Sequence, residues 1–337
     1  MTRVLVTGAT GWLGGHALRA LMALPDVEPI AACRTPERLP GEFHGEVRPG
    51  DLRDPAYRDQ VVRGVDAVLH AGTWGAMFGH REQERAWFFE PTVDLMARCI
   101  EHGVGRFLLA STVAIADPRS GGPFDDFSPT ARTEFWPHQD YLVELDALMR
   151  ASAHRGTQMV TLRLGHFVGR GNALGLVPAI VPRLRTGLVP LLAGGRSRLA
   201  LVSGEDLGQG CALAATVEGL QPFESFNLVG PDLPTTREVF THIARRVGAP
   251  VPWFSVPHGA GIAFGWLMEQ VHAVIGGQAP FLTRAIVHVA RDWDAPTDHA
   301  RDVLGYVPRV GWQEAVDDAL DELGPRPGWP RLAQGVQ

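Results

Sequence analysis

The chain has 337 residues, 45% of them hydrophobic and 20% charged, with a formal net charge of −6. That is room for one large α/β domain with an appended lobe, and enough apolar content to bury a core, which excludes global disorder. The acidic balance offers no basic stripe to a nucleic acid, the apolar run 259–268 is too short for a membrane span, and Cys33, Cys99 and Cys211 are too scattered for a disulfide framework or metal site.

The chain runs from Met1 directly into an apolar strand at 4–7, which leaves no space for a signal peptide and predicts a cytoplasmic protein. A helix follows to about Ala23, then strands at 29–33, 46–48, 67–70, 106–111 and 159–164, with helices at 92–101 and 141–153 stopped by Gly103 and Gly156. Strands alternating with helices predict an α/β fold with a Rossmann-like, doubly wound parallel sheet. Residues 1–165 are read as the dinucleotide-binding core, with a return strand near 226–229. Residues 166–337 are read as a smaller, mostly helical substrate lobe and lid, in which Thr235-Thr236-Arg237-Glu238 forms a capping box.

The string Thr7-Gly8-Ala9-Thr10-Gly11-Trp12-Leu13-Gly14 joins the first strand to the first helix. Gly8 permits the tight turn, Gly11 lets the backbone approach a pyrophosphate, and Gly14 lets helix and sheet pack closely, with free N–H groups facing the phosphates. The second strand ends in Cys33-Arg34 rather than in an acid. Arginine matches a 2′-phosphate by bidentate contacts, so NADP(H) is the expected cofactor; the alternative is a solvated surface arginine. Asp51, before Leu52, either accepts from the adenine amino group or closes a turn. No metal-binding motif appears. All 31 basic residues are arginine, so no lysine ammonium is available to any mechanism.

These motifs resemble the extended short-chain dehydrogenase/reductases, in particular the branch of epimerases and 3β-hydroxysteroid dehydrogenases. The similarity extends over nearly the whole chain, through Asp51-Leu52, His70-Ala71-Gly72, Leu162-Arg163, Val168-Gly169-Arg170-Gly171, Phe281-Leu282-Thr283-Arg284 and the string 298–306. The resemblance implies a catalytic hydroxyl after the fifth strand, at Ser111-Thr112 with Thr112 aligning best. It also implies a tyrosine opening the next helix, and Tyr141, 29 residues later, is the candidate among three tyrosines; Tyr57 is read as part of a surface loop. Relatives often dimerise through the tyrosine helix, so a homodimer is the implied oligomer.

The chain departs from that pattern at Leu145, where the family has lysine, and at Phe88, where many relatives have asparagine ahead of Thr92. A phenol without a neighbouring ammonium stays protonated, which favours reduction of a carbonyl over oxidation of an alcohol. Three proton sources remain open: Tyr141, His138, or an acidic group on the substrate itself. Thr10, Trp12 and Leu13 of the glycine string, Leu52, and His70, Ala71 and Gly72 are read as cofactor-binding positions, His70 serving there by local hydrogen bonding rather than catalysis.

Candidate substrate contacts are Trp74, Phe78, Trp136, His138, His166 and Trp266, and the aromatic stretch 253–268 is either a lid or the core of the small lobe. Such walls suit a bulky hydrophobic ligand. The function expected is an NADP(H)-dependent ketoreductase of a polycyclic, polyketide- or steroid-like molecule, of the kind found in secondary metabolism. The alternatives are a non-catalytic NADP(H)-binding sensor and a sugar-nucleotide epimerase or dehydratase.

Overall fold

A computed structural model of the chain describes residues 1–276 and 280–324. Six strands of the first half, β1 (Thr2–Thr7), β2 (Val27–Cys33), β3 (Glu46–Pro49), β4 (Ala67–His70), β5 (Arg106–Thr112) and β6 (Gln158–Leu164), pair in parallel. The second half adds β7 (His166–Val168), β8 (Leu191–Leu192), β9 (Leu201–Ser203), β10 (Phe223–Leu228) and β11 (Ser255–Val256). Of these, β10 returns to close the main sheet, giving the seven-stranded order β10-β6-β5-β4-β1-β2-β3. The return strand thus begins three residues before the expected position.

Alternate strand residues face opposite layers, as the pleat requires. Val4 and Val6 join Leu108 and Leu162 on one face, while Leu5, Phe107 and Leu109 face the other. The first face is covered by α1 (Trp12–Met22) and α7 (Gly204–Thr216). They pack closely because a Cβ at Gly208 would lie 2.5 Å from the His16 carbonyl oxygen. The second face is covered by α2 (Pro55–Val61), α4 (Glu90–Glu101) and α5 (Pro137–Ser152). Between β4 and α4 lie the short α3 (Arg81–Glu84) and a π-helical turn, Arg85–Phe89.

Two sequence expectations are corrected here. Helix α5 starts at Pro137 rather than at 141, because proline at the first helical position supplies a preset φ after the extended Trp136. Tyr141 therefore sits one turn inside the helix instead of opening it. Tyr57 lies in α2 rather than in a surface loop, and its hydroxyl donates to the Arg48 carbonyl.

The smaller lobe has its own core, built from α6 (Leu176–Leu184), α8 (Thr236–Arg246), β9 and α11 (Trp312–Leu323). The expected capping box at Thr235 and Glu238 opens α8. Helices α9 (His258–Ile275) and α10 (Arg284–Val289) pack together through buried Glu269, which accepts from the Arg284 backbone N–H and guanidinium. No helix among the described residues is long and apolar enough to cross a membrane.

Candidate active site

The glycine turn after β1 is built for close approach. Gly8 has φ +65°, and a Cβ there would lie 2.7 Å from the Gly72 backbone; a Cβ at Gly14 would lie 2.3 Å from the Gly8 carbonyl oxygen. Gly11 caps α1 with no side-chain hydrogen bond and no acid in the first turn. The first N–H groups of the helix are thus left for a ligand, and negative charge at that end is favoured. These features fit the pyrophosphate of a dinucleotide. Thr10 is half-buried beside the turn, and Leu13 anchors it in the core. Trp12 fastens the turn to the second half of the chain by stacking on Phe167 at 5.4 Å and donating to the Arg170 carbonyl at 2.7 Å.

Arg34 and Arg38 are exposed beyond β2, and neither forms an ion pair among the described residues. Asp51 accepts from the Arg53 backbone N–H at 2.9 Å and from its guanidinium, which holds the carboxyl below its ordinary range. Its side chain therefore closes its own turn in this structure. Leu52 packs over Gly72.

His70 has a complete local explanation. Thr92 Oγ1 donates to the Phe88 carbonyl, so it accepts from His70 Nε2–H at 2.9 Å. Thr7 Oγ1 accepts from the Gly72 N–H and donates to His70 Nδ1 at 2.7 Å. Every partner is satisfied only by the neutral Nε2–H tautomer, and burial pushes the imidazole pKa down to about 4. His70 thereby links β1, β4, α4 and the Ala71-Gly72 turn.

Thr112 ends β5, and its Oγ1 accepts from the Ala114 N–H at 3.2 Å. Ser111 Oγ is buried with no partner among the described residues. Tyr141 is buried in the layer beneath the sheet: its ring stacks on Phe89 at 4.8 Å, and its hydroxyl reaches the Arg81 carbonyl at 3.4 Å. Burial raises its pKa above the usual phenol value, against the opposing Arg81 charge, so the group is a neutral phenol. Leu145, one turn on, is fully buried, and Phe88 packs beside His70 at 6.4 Å.

Two of the expected substrate contacts, Trp74 and Phe78, belong to the segment 73–80, and two more, Trp136 and His138, meet it. Trp136 Nε1 donates to the Ala76 carbonyl at 3.1 Å, Phe78 meets His272 of α9 edge-on at 5.4 Å, and Trp74 meets Trp87 at 5.4 Å. The His138 ring occupies the space over Gly75, where a Cβ would lie 2.7 Å from Nδ1. That same Nδ1 is 2.6 Å from Oε1 of Glu84, whose carboxylate is completely buried and whose Oε2 has no partner among the described residues. Sequence reasoning passed over Glu84 because it adjoins the π-helical turn, where no regular apolar period marks a buried position.

The other two contacts lie elsewhere. Trp266 is half-exposed on α9, and the His166 Nε2 is bonded to the Val289 carbonyl at 3.0 Å. A separate cavity of about 370 Å³ opens beside 118–124, lined by Phe124, Arg198, His258, Arg291, Asp292 and Asp294. Arg198 is neutralised there by Asp292 and Asp294, each at 3.0 Å. None of these six was singled out from the sequence, since their meeting depends on packing between segments far apart in the chain. Among the described residues no cluster could hold a metal ion.

A 2-alkyl-3-oxoalkanoate reductase of Stenotrophomonas maltophilia (strain K279a) is 28% identical over 93% of this chain and 97% of its own length. The 4-hydroxy-2-methyl-3-oxo-4-farnesyl-3,4-dihydroquinoline-1-oxide ketoreductase of Stigmatella aurantiaca is 25% identical over 96% of this chain and 97% of its own. Among solved structures, a dTDP-glucose 4,6-dehydratase from Streptomyces venezuelae with NAD and TYD bound shares the fold. Its TM-score is 0.74 at 22% identity, covering 96% of this chain and 97% of that one. The NAD dependent epimerase/dehydratase family model matches residues 4–229, which include the glycine turn, Thr112, α5 and the whole seven-stranded sheet but its first two residues. The chain therefore belongs to the NAD dependent epimerase/dehydratase family, the extended short-chain dehydrogenase/reductases, whose enzymes bind a nicotinamide dinucleotide and carry out oxidoreductase chemistry.

Proposed function

We propose that the protein is an NADP(H)-dependent ketoreductase acting on a bulky hydrophobic ketone. The observation that carries this reading is that Trp136 and His138 meet the segment 73–80, which itself carries Trp74 and Phe78, directly beyond the turn at Gly72 that abuts Gly8. When bound, the reduced nicotinamide supplies hydride to a carbonyl carbon. The chain's own contribution is to hold the dinucleotide at Gly8, Gly11 and Gly14, present an apolar wall to the substrate, orient the carbonyl from Thr112 and furnish a proton. The neutral Tyr141 phenol and His138 both lie in the first two turns of α5. Two relatives whose names describe reductases of alkyl- or farnesyl-bearing oxo compounds support the substrate class.

Arg34 and Arg38, exposed beyond β2 and in no ion pair among the described residues, favour the 2′-phosphate of NADP(H). Calorimetric titration tests the cofactor. NADPH is expected to bind at least tenfold more tightly than NADH, about 1.4 kcal/mol, and Arg34→Ser to erase most of that preference. Equal affinities would remove the NADP(H) assignment. Steady reduction of a hydrophobic ketone panel with NADPH, with no conversion of nucleotide sugars, is the expected activity result.

A further inference from the structure

We propose that His138, oriented by the buried Glu84 carboxylate, delivers the proton to the substrate's carbonyl oxygen. The assignment rests on the reductase reading above and deepens it. His138 is the second residue of α5, and its neighbour Gln139 donates to the Ala114 carbonyl in the turn that follows Thr112. The ring lies against Gly75, in the segment that continues from the cofactor turn at Gly72. His138 therefore lies beside the segment after β4 and next in sequence to a residue bonded to the turn after β5, both at the carboxyl edge of the sheet, where ligands of doubly wound folds bind.

A ring with a proton on each nitrogen gives one to Glu84 and has the other to deliver. Glu84 Oε1 is 2.6 Å from Nδ1, so the carboxylate accepts the Nδ1–H and fixes the ring. Nε2 then points away from the pair and has no hydrogen-bond partner among the described residues, while the side chain keeps 19% of its surface exposed. Phe88 at 5.1 Å and Trp136 at 6.4 Å flank the ring, each tilted against it. Tyr141 is less available, because its hydroxyl is directed to the Arg81 carbonyl and its ring is held between Phe89 and the Arg81 guanidinium.

The step balances simply. As the carbonyl carbon gains hydride from the reduced nicotinamide, the oxygen takes the electron pair of the C=O π bond. It then accepts the proton from Nε2 of the imidazolium, forming the alcohol. The imidazole left behind keeps its Nδ1–H on Glu84 and regains a proton at Nε2 from solvent. Glu84 is a positioning residue, since it touches His138 and not the reacting atoms.

The test combines a readout of the pair with a readout of the step. In cofactor-free protein, proton NMR is expected to show a far-downfield imidazole N–H resonance that disappears in both His138→Gln and Glu84→Gln. NADPH affinity should stay within threefold in both variants. Single-turnover reduction of a ketone accepted by the wild type should fall at least 100-fold in His138→Gln and at least tenfold in Glu84→Gln, in line with the usual contribution of general acid catalysis. Added imidazole should restore part of the rate in His138→Gly. Should His138→Gln fail to fold, Glu84→Gln, which keeps the side chain's shape, carries the comparison alone. Ketone reduction within threefold of wild type in His138→Gln, with loss of turnover in Tyr141→Phe, would overturn the assignment and leave the reductase reading intact. A wild-type protein that binds NADPH yet reduces no ketone would overturn both.

Discussion

At the scale of single residues, His70 makes the strongest prediction about pH. Its folded pKa of about 4 lies below the ordinary value of 6.5, so the unfolded chain takes up the proton first as the solution is acidified. The stabilisation is complete above pH 6.5 and is lost as pH falls towards the folded value, amounting to about 3 kcal/mol by pH 4. Urea denaturation at pH 7.5 and 4.5 should show this loss, and His70→Gln should show less of it. Thr92→Val removes the acceptor for Nε2–H and should cost about 1–3 kcal/mol at neutral pH by the same measurement. The sequence made the local role of His70 legible from its place before Ala71-Gly72. The sequence separation of Tyr141 from Thr112 was equally legible. The destination of the Tyr141 hydroxyl was not, because Arg81 belongs to a short helix that no periodicity announces.

Among the elements, the glycine turn and α1 behave as one piece. Gly14→Ala would place a methyl group 2.3 Å from the Gly8 carbonyl oxygen, a backbone atom that cannot swing aside. Helix and turn must separate, so the variant should lose about 2–3 kcal/mol of stability and at least tenfold in NADPH affinity. Thermal denaturation and calorimetry measure the two effects. The α9–α10 pair depends similarly on one group: Glu269→Ala strips the Arg284 N–H and guanidinium of their shared acceptor. A cost of about 3 kcal/mol is expected, with faster protease cleavage in α9 than in α1. The parallel strands were legible because their apolar runs are short and bounded by turns. The true start of α5 was obscured by Trp136-Pro137, which reads as a break until proline is recognised as its first helical residue.

The whole molecule is less divisible than a boundary at residue 165 suggests. Strand β10 pairs with β6 along six residues, and α7 covers α1 on the first face of the sheet. Arg106, at the start of β5, bonds to the Ala214 and Val217 carbonyls at the end of α7. A fragment ending at residue 165 should therefore show no cooperative melt by circular dichroism, whereas the full chain should show one. This interlacing was only half visible in the sequence: the return strand carried its own apolar run, but nothing local in Gly204–Thr216 tells which face it will cover. The late arrival of β10 also has a consequence for synthesis. A chain leaving the ribosome amino terminus first exposes the open edge of β6 and the bare apolar side of α1 until some sixty further residues have emerged. Nascent chains stalled between β6 and β10 should accordingly be the species that chaperones hold longest and that aggregate first.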